Sequence, residues 1–454
     1  MTTYSCPTSA PLTRSHRCSI ESSGQRPPPE HQGRKLQANA YMNRGEVVNQ
    51  GMDENCRRSE FRQFAQTKVS PFAEIHDRSQ KLSDSIRPDL ARSGYFAPFL
   101  PSKWGGSSMD MVTYGVLHEE LGRACSSVRT LLTVHDMIAH TILSWGSTHL
   151  KDQWLPLLAK GDVIGALGVS EPNAGSDINA VETVAVADGE EFVLRGKKKW
   201  ISFGQIADLF LILCKYNDLP TAFLVERDRP GLLVEPIEGM FGTRGSMLAL
   251  LTFEDCRVPK GNMIARPGFG ATPVAQTALG LGRYSVACGA VGIAQACLDA
   301  CYEYASNTRR FGVPLKDHQL IQQMITDMIT DTVAARLLCR QAGAMRESGD
   351  FQEIMHTFIA KYHASTAAMR AADRAVQIHG ANGCSQCYAV ERFMRDAKIM
   401  EIIEGSTQLQ QITIANFGFQ EFERQKLVSV GDVPEKMDEG VQGRAHFKPS
   451  AVTE

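Results

Sequence analysis

The chain has 454 residues, 43% of them hydrophobic, and a formal net charge of −2. A length of this order favours about two or three domains. The near-neutral balance gives no electrostatic reason to expect nucleic acid or an anionic membrane as partner, and no uninterrupted apolar run approaches the ~18 residues a membrane-spanning helix needs.

The twelve cysteines are scattered and accompany no secretory signal. That usage suits a reducing compartment, so the expected location is the cytoplasm, or the mitochondrial matrix in a eukaryote. Cys384 and Cys387 have CxxC spacing, yet no second pair or histidine cluster completes a zinc site.

In chain order, residues 1–51 are rich in Ser, Pro, Arg and Gln and show no apolar periodicity, so they read as a tail that cannot offset its ordering entropy. Its arginines and scarcity of acids fit a transit peptide; Met42 or Met52 as the true start fits equally well. Residues 52–160 read as a helical domain, with Val112, Val116, Leu117 and Leu121 at helical spacing behind a loop marked by Pro98, Pro101, Gly105 and Gly106. Residues 161–267 become strand-like: short apolar runs at 192–194, 209–213, 222–225 and 248–253 are bounded by turn residues. No helical pattern intervenes, which predicts an antiparallel sheet or small barrel rather than βαβ units. Over 268–424 helices return, with Leu320, Ile321, Met324, Ile325, Met328 and Ile329 forming a wide stripe that continues to Leu337 and Leu338 and predicts helix-bundle core. Residues 425–454 read as a polar tail. The fold class is α+β: helices, a small β unit, then a helical bundle.

The stretch from Arg395 to Gln410 carries the most chemistry. Glu404 follows Ile402 and Ile403 and precedes Gly405, Ser406 and Thr407. A carboxylate among apolar residues is expensive to ionise, so its pKa rises, which suits proton abstraction beside a carbonyl. Gly405 permits close backbone approach, and Ser406 and Thr407 can hydrogen-bond a ligand. An ordinary helix end has the same residue types.

Four further motifs bear on that choice. Val169, Ser170, Glu171, Pro172, Asn173, Ala174, Gly175, Ser176 and Asp177 are similar to the T-E-P-x-A-G-S-D loop of the acyl-CoA dehydrogenase family, with Ser170 keeping the hydroxyl of the usual threonine. Gly196 to Ser202 resembles G-x-K-x-W-I-T. Arg309 to Pro314 resembles R-x-x-F-G-x-P, except that Thr308 stands at the arginine position. Gln377 to Gly383 resembles Q-I-x-G-G-x-G, with Gly380 and Ala381 at the paired-glycine positions.

The resemblance spans about Glu54 to Glu423 and implies an N-terminal helical domain, a middle small β-barrel and a C-terminal four-helix bundle. It implies FAD as cofactor, held by Val169, Ser170, Ser176, Trp200, Ser202, Arg309, Phe311, Gln319, Gln377, Gly380 and Ala381. Trp200 would pack on the isoalloxazine, and Arg309 or Arg310 would replace the missing arginine at the pyrophosphate of a neighbouring subunit, a role that suits a planar cation. His379 reads as a packing histidine.

The same resemblance assigns Glu404 as catalytic base. Relatives that carry the glutamate on an earlier helix place it at the position of Gly282, so Glu404 has no competitor, and Arg283 would lie close enough to position it. The implied reaction removes the α-proton of an acyl thioester while hydride leaves Cβ for flavin N5; the backbone N–H of Glu404 and a ribityl hydroxyl would stabilise the enolate. An electron acceptor such as electron-transfer flavoprotein follows, and homotetramers are usual. Residues 125–129, 282–287 and 398–406 are similar to a subgroup that oxidises small polar acyl chains on an acyl carrier protein, for hydroxymalonyl or methoxymalonyl extender units. A short-chain acyl-CoA dehydrogenase, and an oxidase or monooxygenase on the same fold, stay open.

Overall fold

A computed structural model describes residues 44–429 of the chain; most of both expected tails lies outside these residues. Residues 44–51, expected as tail, are helical as the start of α1 (Arg44–Phe64), and residues 425–429 end the last helix. From Cys56 onward the chain forms one compact unit.

The first part is helical: α2 (Ala73–Ser79), α3 (Ile86–Arg92), α4 (Met111–Ala124), α5 (Ser126–Trp145) and α6 (Thr148–Lys160). Local chemistry sets their ends. The Asp110 carboxylate accepts the Thr113 N–H at the start of α4, Ser147 Oγ accepts that of Leu150 at the start of α6, and Gly161 closes α6 in the left-handed conformation.

The β unit comprises β1 (Gly165–Gly168), β2 (Val184–Asp188), β3 (Glu191–Ile201), β4 (Leu209–Tyr216), β5 (Leu219–Glu226), β6 (Leu232–Pro236), β7 (Ala249–Pro259) and β8 (Met263–Ile264). Their order is β6-β7-β3-β2-β4-β5-β8, with β1 also paired to β4. Two expectations are corrected here. The end strands β6 and β8 do not pair with each other, so the ladder is an open sheet and not a closed barrel. It is also mixed, because β1 and β2 both run parallel to β4. Phe192, Phe210, Phe223 and Phe253 fill its core.

The last part holds α7 (Gln276–Asn307), a small hairpin of β9 (Arg309–Arg310) and β10 (Val313–Pro314), α8 (Gln319–Ser348), α9 (Glu353–His379), α10 (Val390–Ile402) and α11 (Thr407–Ser429). α7 is the central helix. It is long and apolar enough in composition to cross a membrane, yet 83% of its most apolar window is buried in the protein. Glycines let it approach α4 closely: a Cβ on Gly292 would meet Glu119 O at 2.1 Å, and one on Gly122 would meet Gly289 O at 2.5 Å.

The α8 stripe is core only in part. Met328 is fully buried, and Ile321, Met324, Ile325 and Leu338 pack against the bundle, but Leu320 (71%) and Leu337 (62%) are exposed. The stripe is wider than the face the described residues cover.

Candidate active site

α10 ends at Ile402 and the chain reverses into α11 through Ile403, Glu404, Gly405 and Ser406. Glu404 has φ +56° and Gly405 φ +95°. For a glutamate this left-handed conformation costs about 1–2 kcal/mol and persists only where the surroundings enforce it. Arg283 Nε donates to Glu404 O (3.1 Å), Lys361 Nζ donates to Gly405 O (2.6 Å), and Gln410 Nε2 donates to both carbonyls (3.2 and 3.1 Å). The carboxylate turns into the bundle toward Gly282 of α7 and Met137 of α5. Its Oε2 is buried and has no hydrogen-bond partner among the described residues.

Three buried cations surround this carboxylate: Arg129 on α5, Arg283 on α7 and Lys361 on α9. Burial pushes Glu404 up to about 7, against the pull of Arg283, Lys361 and Arg129. Burial also lowers each cation, Lys361 to about 8 and Arg283 and Arg129 to about 10, against the attraction of Glu404. All three therefore remain charged at neutral pH. Arg129 donates to Thr130 Oγ1 and Thr133 Oγ1 (both 2.9 Å), and Thr133 in turn accepts from Ser285 (3.0 Å), a buried polar layer beside the site. A carboxyl group that titrates near neutrality, with one free oxygen and a cationic surround, can accept a proton and favours anionic charge developing next to it.

The Ser170 loop and the Trp200 strand are brought together. Lys199 N donates to Ser170 O (2.9 Å). Beneath them Lys198 Nζ donates to Glu171 Oε1 (2.5 Å) and Val169 O (3.0 Å), and Glu171 also accepts from the backbone of Glu182 and Thr183. Burial works against the Glu171 charge, but these hydrogen bonds hold its carboxyl below the usual range. Trp200 sits in an irregularity of the β3–β7 ladder with φ +65°, its ring 48% exposed. Ser202 is half-buried just after β3, and Ser176 is exposed on the loop. α5 connects this cluster to Glu404: Met137 faces Gly282, and Ile138 packs against Gly165 of β1.

The remaining predicted residues lie elsewhere. Arg309, Phe311 and Gln319 are exposed on the β9–β10 hairpin and the start of α8, with Phe311 at its tip 97% exposed. Gln377, Gly380 and Ala381 are exposed where α9 ends, and Gly380 has φ +60° and ψ −137°, a region open almost only to glycine. Both segments adjoin the C-terminal end of α7: Leu315 N donates to Thr308 O, and Tyr304 stacks on His379 at 4.2 Å and donates to its carbonyl. His379 is thus a packing residue, its Nδ1 engaged with Ala375 O. Gly282 and Tyr304 are about six turns apart on α7, about 33 Å at about 1.5 Å per residue. Within one chain, this group and Glu404 are separate.

At the turn itself the Ser406 hydroxyl accepts the Leu409 N–H, which leaves its own O–H to donate, and the Thr407 hydroxyl donates to Glu401 O, which leaves its oxygen to accept. Sequence reasoning assigned no role to Lys361 or to the Glu171–Lys198 pair. Periodicity held a signal for each: Lys361 occupies the buried face of Ala364, Ser365 and Ala368, and Lys198 has the same strand parity as buried Phe192 and Leu194.

A helical domain, a sheet and a bundle together bury a near-neutral carboxylate among cations, an arrangement suited to moving a proton. The sequence relationships agree. The acyl-CoA dehydrogenase N-terminal, middle and C-terminal domain patterns match residues 53–162, 166–256 and 271–418. Glutaryl-CoA dehydrogenase of Desulfococcus multivorans is 36% identical over 368 residues, covering 78% of this chain and 94% of that protein. The mitochondrial short-chain specific acyl-CoA dehydrogenase of Mus musculus is 36% identical over 360 residues, covering 78% and 87%. Among solved structures, a chain from the electron transferring flavoprotein study of Acidaminococcus fermentans superposes with a TM-score of 0.78 at 31% identity, over 80% of this chain and 97% of that one. FkbI, described for biosynthesis of a methoxymalonyl extender unit, gives 0.73 at 30% identity, over 80% and 99%. The prolyl acyl carrier protein oxidase AnaB gives 0.77 at 26% identity, over 80% and 98%. This chain belongs to the acyl-CoA dehydrogenase family. It is an FAD-dependent oxidoreductase acting on CH–CH bonds.

Proposed function

We propose that the protein dehydrogenates a small acyl thioester, with Glu404 as the base that takes the α-proton. The observation that carries this is the buried Oε2 of Glu404, without a hydrogen-bond partner and facing the open position at Gly282. The α-proton of a thioester is too weakly acidic for a carboxylate in water. Burial raises the basicity of Glu404, and Arg129, Arg283 and Lys361 favour the charge that develops on the substrate oxygen. Arg283 and Lys361 fix the backbone of the turn, which aims the carboxylate and presents the Glu404 N–H as a donor to the thioester carbonyl.

FAD, when bound, supplies the hydride acceptor. The chain's residues fit it in two groups. Val169, Ser170, Ser176, Trp200 and Ser202 form a half-exposed aromatic and hydroxyl cluster suited to a flavin ring. Arg309, Phe311, Gln319, Gln377, Gly380 and Ala381, at the far end of α7, suit the dinucleotide held by a second copy. The exposed Leu320 and Leu337 of α8 support such a homo-oligomer, a homotetramer by family likeness.

For the acyl group, we favour a small polar chain on an acyl carrier protein, as in extender-unit biosynthesis. The buried cations and the Arg129–Thr133–Ser285 layer support it, as do the likenesses to FkbI and AnaB. A short-chain acyl-CoA dehydrogenase is the second reading, favoured by the identities to the glutaryl-CoA and short-chain enzymes. Electron-transfer flavoprotein is the proposed electron acceptor. Anaerobic bleaching of the visible flavin band separates the readings. Loss of colour with butyryl-CoA supports the second; loss only with a three-carbon hydroxy-oxo-acyl carrier protein supports the first. Glu404→Gln is expected to retain FAD and lose about 10²–10⁴-fold in turnover; near wild-type turnover would overturn the assignment of the base.

A further inference from the structure

Lys361 is fully buried on α9, on a face otherwise made of small residues such as Ala364, Ser365 and Ala368. Among the described residues no carboxylate lies within ion-pair distance of its Nζ, whose bond is to Gly405 O at 2.6 Å. A buried ammonium without a paired carboxylate carries a desolvation cost that an apolar side chain of similar size does not. The carbonyl does not depend on Lys361 for satisfaction either, because Gln410 Nε2 also donates to Gly405 O (3.1 Å). Fold stability therefore gives no reason for a lysine here.

The turn does give one. Two consecutive residues, Glu404 and Gly405, are left-handed, and their carbonyls are gripped by different cations on different helices, Arg283 on α7 and Lys361 on α9. The charged groups that act on Lys361 are Glu404, Arg283 and Glu401; those that act on Glu404 are Arg283, Lys361 and Arg129.

We infer that Lys361 is a positioning residue for the base, clamping Gly405 O so that Glu404 keeps its left-handed backbone and faces Gly282, and supplying a buried positive charge that keeps the carboxylate ionised. The inference rests on the reading of Glu404 as base. Removing the charge leaves Glu404 easier to protonate, so the acid limb of kcat/KM moves to higher pH.

The test uses flavin-loaded enzyme with Lys361→Met, Lys361→Arg and Glu404→Gln in parallel. Lys361→Met is expected to fold with full flavin content and an unchanged or higher melting temperature. Its kcat falls about 10- to 100-fold at nearly constant KM, and its acid limb rises by about one pH unit. Lys361→Arg returns the acid limb to its wild-type position, since the charge is restored, with only partial recovery of kcat. A Lys361→Met enzyme with wild-type kcat and acid limb overturns the inference, and so does one that loses its fold, which would make the lysine structural. If Glu404→Gln retains turnover, the underlying reading fails; if Glu404→Gln is inactive while Lys361→Met is unaffected, only the role of Lys361 fails.

Discussion

Gly282 and Glu404 share one space: a Cβ on Gly282 would stand 2.6 Å from Oε2 and 2.7 Å from Cδ of Glu404, and 2.9 Å from Met137 Sδ. The atoms that would have to yield are the ends of flexible side chains and not backbone. Gly282→Ala therefore leaves the fold and flavin content near wild type but displaces the carboxylate. A misplacement of about 1 Å costs about 10²-fold in a proximity-driven step. The expected outcome is a 10- to 100-fold fall in kcat, measured by steady-state turnover and normalised to bound flavin. An unchanged kcat would mean that the carboxylate has room to reach the substrate from elsewhere.

The pH dependence follows from the protonation state Glu404 needs if it is the base, as proposed. Only ionised Glu404 accepts a proton, and burial places its pKa at about 7. As pH falls below that value kcat/KM should drop about tenfold per unit, with the three surrounding cations still charged. A rate profile from about pH 5.5 to about pH 8.5 tests this. A limb near 4.5, the ordinary value for glutamate, would show that the carboxylate is solvated in the working enzyme.

The three-part order of the fold was legible because helical and strand periodicities are local. The open, mixed sheet was not, since pairing of β1 and β2 beside β4 depends on chain segments far apart in sequence. At the site, Ile402 and Ile403 pointed to a desolvated Glu404, but Ile402 is exposed and the carboxyl is buried by the bundle around Gly282 instead. Lys361 could not be linked to it, because α9 meets the turn only through the packed bundle. The α8 stripe misled for a different reason. Apolar periodicity marks a face that will be covered without specifying by what, and Leu320 and Leu337 are exposed among the described residues.

The Glu171–Lys198 pair should behave as an anchor beneath the Ser170 loop. Both side chains are buried and directly bonded at 2.5 Å, and each also ties down backbone groups of the surrounding turns. Removing one partner leaves the other charge buried and uncompensated, at a cost of about 3–5 kcal/mol. Chemical unfolding should show a loss of that order for Glu171→Ala, with Glu171→Ala/Lys198→Met recovering much of it. Equal, small losses in both variants would indicate that water reaches the pair.

Trp200 sets backbone cost against ligand binding. Its φ of +65° places a bulky side chain in a region that glycine occupies freely, while the residue remains 48% exposed, with Lys199 Nζ 4.5 Å from its ring centroid. Backbone strain of this kind costs about 1–3 kcal/mol and is tolerated where a surface must be presented in a fixed orientation. Trp200→Gly relieves that strain but raises the entropy of the unfolded chain, a cost of about 0.5–1 kcal/mol. The flavin-free protein should therefore melt at the wild-type temperature or slightly above it. The same substitution removes the aromatic face proposed to meet the isoalloxazine, so flavin retained through gel filtration should fall severalfold. Lower stability together with full flavin content would reverse the argument, making Trp200 a packing residue of the sheet.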